Sequence, residues 1–190
     1  MKALILNGER KGENVLDFLQ EAVVHAISDD GWLVETVVLR EKKIAWCTGC
    51  FGCWTKTPGT CVIDDFGRIL ANKVVQSDLM IYLTPVTFGG YSSELKKAID
   101  RFACSMLLPF FTKIDGEVHH KARYQHLPSL IGIGILPGPE EESGQIFAKL
   151  VERNAINIHS PSVQSAVYYP SQDRGQIVEG LRSILRNFVK

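Results

Sequence analysis

Four cysteines, Cys47, Cys50, Cys53 and Cys61, stand within fifteen residues in the pattern C-x2-C-x2-C-x7-C. Two consecutive C-x2-C steps wrap three thiolates around one point, and Pro58-Gly59 is a turn able to return the fourth. Compact cysteine runs hold iron–sulfur clusters, although the bacterial ferredoxin run has a shorter last gap and a following proline. Trp46, Phe51 and Trp54 could shield such a cluster from water. Four thiolates could instead hold one tetrahedral zinc ion, but zinc sites more often use two separated pairs. Free or redox-active thiols are the third reading. The fifth cysteine, Cys104, falls among apolar residues of a helical pattern and reads as core.

The rest of the chain alternates strand-like and helix-like segments. Lys2 to Asn7 is a short apolar run that meets a turn at Asn7-Gly8. Val15, Leu19, Ala22 and Ala26 then recur at helical spacing, and Trp32 to Leu39 is again strand-like. Asp64 can cap a helix carrying Phe66, Ile69, Leu70 and Val74. The strand at Asp78–Leu83 ends at Thr84-Pro85, and Ser92 or Ser93 caps the helix of Leu95, Ile99, Phe102 and Met106. Leu130–Leu136 and Val163–Tyr169 are further strands, each followed by an amphipathic helix. Five strands with helical crossovers predict a three-layer α/β fold with a doubly wound, parallel, five-stranded sheet. The flavodoxin-like order 2-1-3-4-5 is the common arrangement, with ligands beyond the carboxyl ends of the strands. The chain reads as a single domain, 1–190, with a cysteine-rich loop at 44–63 and an insertion at 109–127. That insertion holds Asp115-Gly116-Glu117, a turn signal, and His119-His120, which reads as an exposed polar loop.

Composition narrows the function classes. Lys plus Arg and Asp plus Glu are both 21, so the net charge is zero. Nucleic-acid binding, which draws on phosphate neutralisation, is disfavoured. No apolar run suits a signal peptide or a membrane span. A cytoplasmic setting follows, in which thiols stay reduced and cysteines serve as ligands or redox groups. Neither a Walker loop nor a Ser-His-Asp order appears, and G-x-G-x-x-G is absent.

The stretch from Cys47 to Phe102 has a recognisable order. The cysteine run is followed by Gly-Thr-Cys-Val-Ile-Asp-Asp at 59–65 and Ser-Asp-Leu-Met-Ile-Tyr-Leu-Thr-Pro-Val-Thr-Phe-Gly-Gly-Tyr-Ser-Ser at 77–93. Leu-Lys-Lys-Ala-Ile-Asp-Arg-Phe at 95–102 completes it. This order resembles the NADPH-dependent FMN reductase and iron–sulfur flavoprotein branch of the flavodoxin-like superfamily. The resemblance implies that Pro85, Val86, Thr87, Phe88, Gly89, Gly90 and Tyr91 wrap the flavin ring of FMN. It implies a [4Fe–4S] cluster on the four cysteines, near the flavin, and NAD(P)H or a redox protein as electron donor. A homo-oligomer, dimer or tetramer, belongs to the same expectation. Catalysis would need no acid–base residue, because the cofactor carries the chemistry.

The first strand–helix loop departs from the family pattern. There a Gly-Ser-x-Arg stretch and Gly-Asn-Thr or Gly-Asn-Ser hold the FMN phosphate. Here Gly8, Glu9, Arg10, Lys11 and Asn14 occupy the place, with no hydroxyl and with Glu9 and Glu13 where a dianion would sit. Like charges oppose binding. Arg10, Lys11, the glycine amides and the helix N-terminus could still serve a phosphate. Two other functions stay open: a flavin-free sensor or interaction module bearing metal or thiols, and an FMN reductase without a cluster.

Overall fold

A computed structural model of the chain describes residues 1–188. The reading of Cys104 as core lies outside the described residues. Five parallel strands form the central sheet: β1 (Lys2–Asn7), β2 (Leu33–Val38), β3 (Leu79–Pro85), β6 (Ser129–Ile135) and β7 (Val163–Tyr168). Their order is β2-β1-β3-β6-β7, which is the flavodoxin-like 2-1-3-4-5 once the two strands of a separate hairpin are left uncounted.

Alternation along the strands builds both faces. Ala3 and Ile5 of β1 point into one core, with Leu19, Val23 and Ile27 of helix α1 (Asp17–Ser28) and Ile177, Leu181 and Leu185 of α6 (Arg174–Leu185). Leu4 and Leu6 point into the other. There they meet α3 (Phe66–Val75), α4 (Ser93–Met106) and α5 (Glu141–Asn157), through Leu70, Val74, Leu95, Ile99, Phe102, Phe147 and Val151. Strands buried on both sides read as continuous apolar runs, which is why β1, β3 and β6 stand out in the sequence.

Close packing of α5 on β6 depends on glycine. A Cβ added at Gly132 would overlap Val151 Cγ2 and lie 2.9 Å from Cγ1, on a side chain with no exposure. Gly132→Ala should therefore cost about 1–3 kcal/mol by overpacking. A lowered urea midpoint with an unchanged slope is the expected reading, and an unchanged midpoint would refute it.

Three local features differ from expectation. Asp65, not Asp64, caps α3: its carboxylate accepts the Gly67 amide at 2.8 Å. Val15 lies before α1 and is exposed, while Leu16 takes the buried place. Residues 109–127 are no open loop. They lie largely in an antiparallel hairpin of β4 (Leu107–Ile114) and β5 (Glu117–Ala122), turned at Asp115-Gly116 with both residues at positive φ. Asp-Gly between strand-like runs is a strong hairpin signal, because both positions need positive φ. His119 is buried inside the hairpin, and Arg153 of α5 pairs with Glu117.

Candidate functional site

The loops at the carboxyl ends of β1, β3 and β6 converge on one cleft. It has a volume of about 380 Å³ and is walled by Val15, Pro85, Val86, Ile135, Leu136 and Pro170, with Arg10 and Glu13 at its polar side. That size and apolar lining suit a planar ring ligand, since ligand pockets run upward from about 300 Å³. Of the ring-loop residues expected from sequence, Pro85 and Val86 line the cleft. Thr87 to Gly90 close a tight turn with paired hydrogen bonds of 3.0 and 2.8 Å between the two end residues. Phe88 and Gly89 at its tip have positive φ, and the Phe88 ring is 96% exposed. A bulky residue in the left-handed region costs roughly 1–3 kcal/mol and tends to mark functional loops. Tyr91 packs edge-on against Tyr82 and Phe147 in the core, and burial raises its hydroxyl well above the usual range.

The first loop is held from within. Asn7 accepts the Glu9 amide at 2.8 Å and donates to Gln20 at 2.8 Å. The Glu9 carboxylate has no exposure, accepts the Leu16 amide at 3.0 Å and pairs with Arg40 at 2.6 Å. Arg10 pairs with Glu13 at 2.7 Å, while Lys11 and Asn14 are exposed. Gly8 is demanded by packing: a Cβ there would lie 2.7 Å from Leu95 Cβ, and Ser92 donates its hydroxyl proton to the Gly8 carbonyl. The cleft is thus apolar, whereas the head of α1 beside it holds the chain's own Glu9 carboxylate.

The cysteine loop is built by side chains more than by backbone ladders. Phe51, at positive φ, opens the short helix α2 (Gly52–Thr55), which carries Cys53. Gly52 has no room for a side chain: a Cβ would lie 2.5 Å from Val62 Cγ1, so the returning strand lies directly on α2. The return is made by the Thr57–Thr60 turn, closed at 2.8 Å, and Arg68 holds the Cys61 carbonyl at 2.7 Å. Cys47, Cys50, Cys53 and Cys61 consequently border one small cavity of about 40 Å³, with Ile63 and Arg101 in its wall. Among the described residues no three Cys, His, Asp or Glu converge closely enough to hold a single metal ion. Cys50 is held below the ordinary thiol range by the Gly52 amide first, then by the Thr48 hydroxyl.

Arg101 of α4 anchors this loop. Its side chain has no exposure and grips Asp65 through two 2.8 Å hydrogen bonds. It also donates to the carbonyls of Ala45 at 2.8 Å and Ile63 at 3.2 Å, one on each side of the cysteine run. Burial by itself would raise the Asp65 carboxyl. The guanidinium and the amides of Ala45 and Gly67 outweigh it and hold that carboxyl below the usual range. Among the described residues the buried Arg101 Nε has no hydrogen-bond partner, while the guanidinium interacts with the Cys61 side chain as well as with Asp65. Sequence reasoning missed Arg101, Asp65 and Arg40. Arginine and aspartate in a polar stretch carry no signal of burial.

Residues 1–126 match the NADPH-dependent FMN reductase family. The chain belongs to that family. The family is named for FMN and NADPH. An iron–sulfur flavoprotein of Methanocaldococcus jannaschii is 35% identical over 102 residues, covering 53% of this chain and 51% of that protein. An iron–sulfur flavoprotein of Archaeoglobus fulgidus is 37% identical over 102 residues, 53% of this chain and 45% of the relative. The chain spans about half the length of the curated relatives it matches. An NAD(P)H:quinone oxidoreductase from Methanothermobacter marburgensis superposes with a TM-score of 0.74 at 15% identity, over 100% of this chain and 98% of that one. An FMN-dependent NADH-azoreductase from Bacillus anthracis, solved with FMN, gives 0.61 at 11% identity, over 100% and 98%. At these identities the likeness is one of fold. Among the described residues, no helix is long and apolar enough to cross a membrane.

Proposed function

We propose that this member of the FMN reductase family is an electron-transfer oxidoreductase carrying a [4Fe–4S] cluster on Cys47, Cys50, Cys53 and Cys61. The observation that carries the reading is the single cavity bordered by all four cysteines, with the buried Arg101 cation in its wall. Four thiolates and a cluster concentrate negative charge, and a buried guanidinium offsets it. Zinc, at about 2.3 Å from each sulfur, would draw four thiolates to within about 4 Å of one another. A cluster takes its cysteines on separate irons, which accords better with a ring of thiols that does not converge. The two iron–sulfur flavoproteins among the relatives support the same choice. Admitting the cluster requires the cavity to widen, and Cys47 and Cys50 lie on its exposed side.

The chain's own residues have distinct tasks in this reading. Pro85, Val86, Ile135 and Leu136 present an apolar wall that excludes water from the face of a ring ligand. Gly8, held by Ser92, ties the first loop to the head of α4, whose Arg101 lies nine residues further along the same chain segment. A bound flavin supplies exchange of electron pairs with a nicotinamide and of single electrons with a cluster. NAD(P)H or a redox protein would be the donor. One domain, cytoplasmic and self-associated as a dimer or larger assembly, completes the proposal.

The buried Glu9 favours a second reading, in which the scaffold is a flavin-free metal or thiol module. The visible spectrum of chain purified without oxygen, with acid-released chromophore identified and iron and zinc counted, separates the readings. FMN with about four irons per chain is the expected result. FMN without iron would leave a flavin reductase with free thiols. A colourless protein that fails to take up added FMN would sink the flavin altogether.

A further inference from the structure

We infer that the Glu9 carboxylate is a built-in anion standing where a ligand phosphate would bind, so that the cleft does not select phosphorylated flavin over its nucleoside. The inference rests on the flavin reading above and adds a specificity residue to it. In a parallel α/β sheet, the turn from the first strand into the first helix is the natural anion site, because backbone amides and the helix N-terminus point there. In this chain a carboxylate already lies at that position. The Leu16 amide, at the start of α1, is taken by Glu9 Oε1 at 3.0 Å. Leu16 provides no side-chain cap, so the glutamate seven residues earlier serves α1 as one.

Arg40 and Arg10 are engaged too, while Lys11 is exposed. Arg40 donates to Glu9 Oε2 at 2.6 Å and, with the same nitrogen, to the Glu13 carbonyl at 2.9 Å and the Arg10 carbonyl at 3.3 Å. Arg10 is neutralised by Glu13, whose carboxylate also accepts the Arg10 amide at 3.2 Å. A phosphate dianion at this loop faces the carboxylates of Glu9 and Glu13, whose charges offset those of Arg40 and Arg10 and leave the exposed Lys11. Nor can Glu9 swing away cheaply. Its departure strips the Leu16 amide and a half-buried guanidinium of their partner, and each loss is costly inside a protein. The apolar cleft beside the loop is untouched by any of this and still fits a ring.

The test is a pair of anaerobic fluorescence titrations of the full chain, one with FMN and one with riboflavin. Wild-type protein should bind both within about threefold of each other. Glu9→Ser removes the carboxylate and frees Arg40, and should shift the ratio toward FMN by about tenfold or more. Glu9→Gln keeps the size of the side chain and one of its two acceptors without the charge, and should shift the ratio in the same direction. A purely structural role for Glu9 would weaken both flavins alike and leave the ratio alone. The inference is overturned by wild-type protein that binds FMN about a hundredfold tighter than riboflavin, or by variants with an unchanged ratio. Should the wild type take up neither flavin, the flavin reading fails separately. FMN uptake by Glu9→Ser would then sustain the inference, and no uptake would overturn it.

Discussion

Arg101→Met lowers the unfolding free energy by about 3–5 kcal/mol, the range for removing one partner of a buried ion pair. The variant strands Asp65, a carboxylate buried beneath the cysteine loop, and removes the donors to Ala45 and Ile63. Asp65→Asn together with Arg101→Met should recover part of the loss, since it takes away the uncompensated charge. The pH dependence gives a sharper test. With Arg101 present the folded carboxyl lies below its unfolded value of about 3.9, so its contribution is complete above that pH. It is lost as the pH falls through the folded value. Without Arg101 the folded carboxyl lies higher than in the wild type, and protonation then relieves the variant. The stability gap between wild type and variant must narrow from pH 7 toward pH 3. Urea melts at the two ends of that range would show it, and an equal gap at both would sink the assignment.

Replacing Cys50 and Cys61 together by alanine should empty the loop of iron, from about four atoms per chain to below about one. Flavin content should be unchanged, because neither residue borders the cleft made by Pro85, Val86 and Leu136. Two cysteines remain, too few to hold a cluster, while Arg68 still holds the backbone of position 61 and Arg101 that of position 63. Reduction of the flavin by NAD(P)H should persist, and delivery to one-electron acceptors should fall. Iron retained in the double variant would show that the metal sits elsewhere. Equal loss of iron and flavin would show that the loop supports the cleft structurally.

The sheet was legible because β1, β3 and β6 are apolar on both faces, and α4 because Ser92 caps a run spaced at Leu95, Ile99, Phe102 and Met106. The four cysteines border one cavity without converging on a point, and their spacing with the Pro58-Gly59 turn made that proximity legible. What holds them was not legible. Arg101 and Asp65 are thirty-six residues apart in sequence, and nothing local to either announces the contact. Glu9 is the converse case. Its charge was visible in the sequence as an obstacle to a phosphate, but its burial against Arg40, thirty-one residues away, was not. The hairpin was misread because its histidines looked solvated. His120 instead packs at a tilt against two aromatic rings, Trp54 and Phe111.

Those rings have a mechanical consequence. Phe51 stacks on Trp54 at 5.4 Å, Trp54 packs tilted on His120 at 4.6 Å, and His120 packs tilted on Phe111 at 4.9 Å. Trp54 also donates its indole proton to the Leu107 carbonyl at 3.1 Å, and Arg123 returns to Ser105 at 3.0 Å. The cysteine loop and the hairpin, distant in sequence, therefore share one set of fastenings that the sheet does not supply. They should open locally as a single unit, and hydrogen exchange should show their amides exchanging together and before those of β1 and β3. Any partner that grips the hairpin steadies the cysteines, and any disturbance that frees the hairpin exposes them while the parallel sheet stays closed.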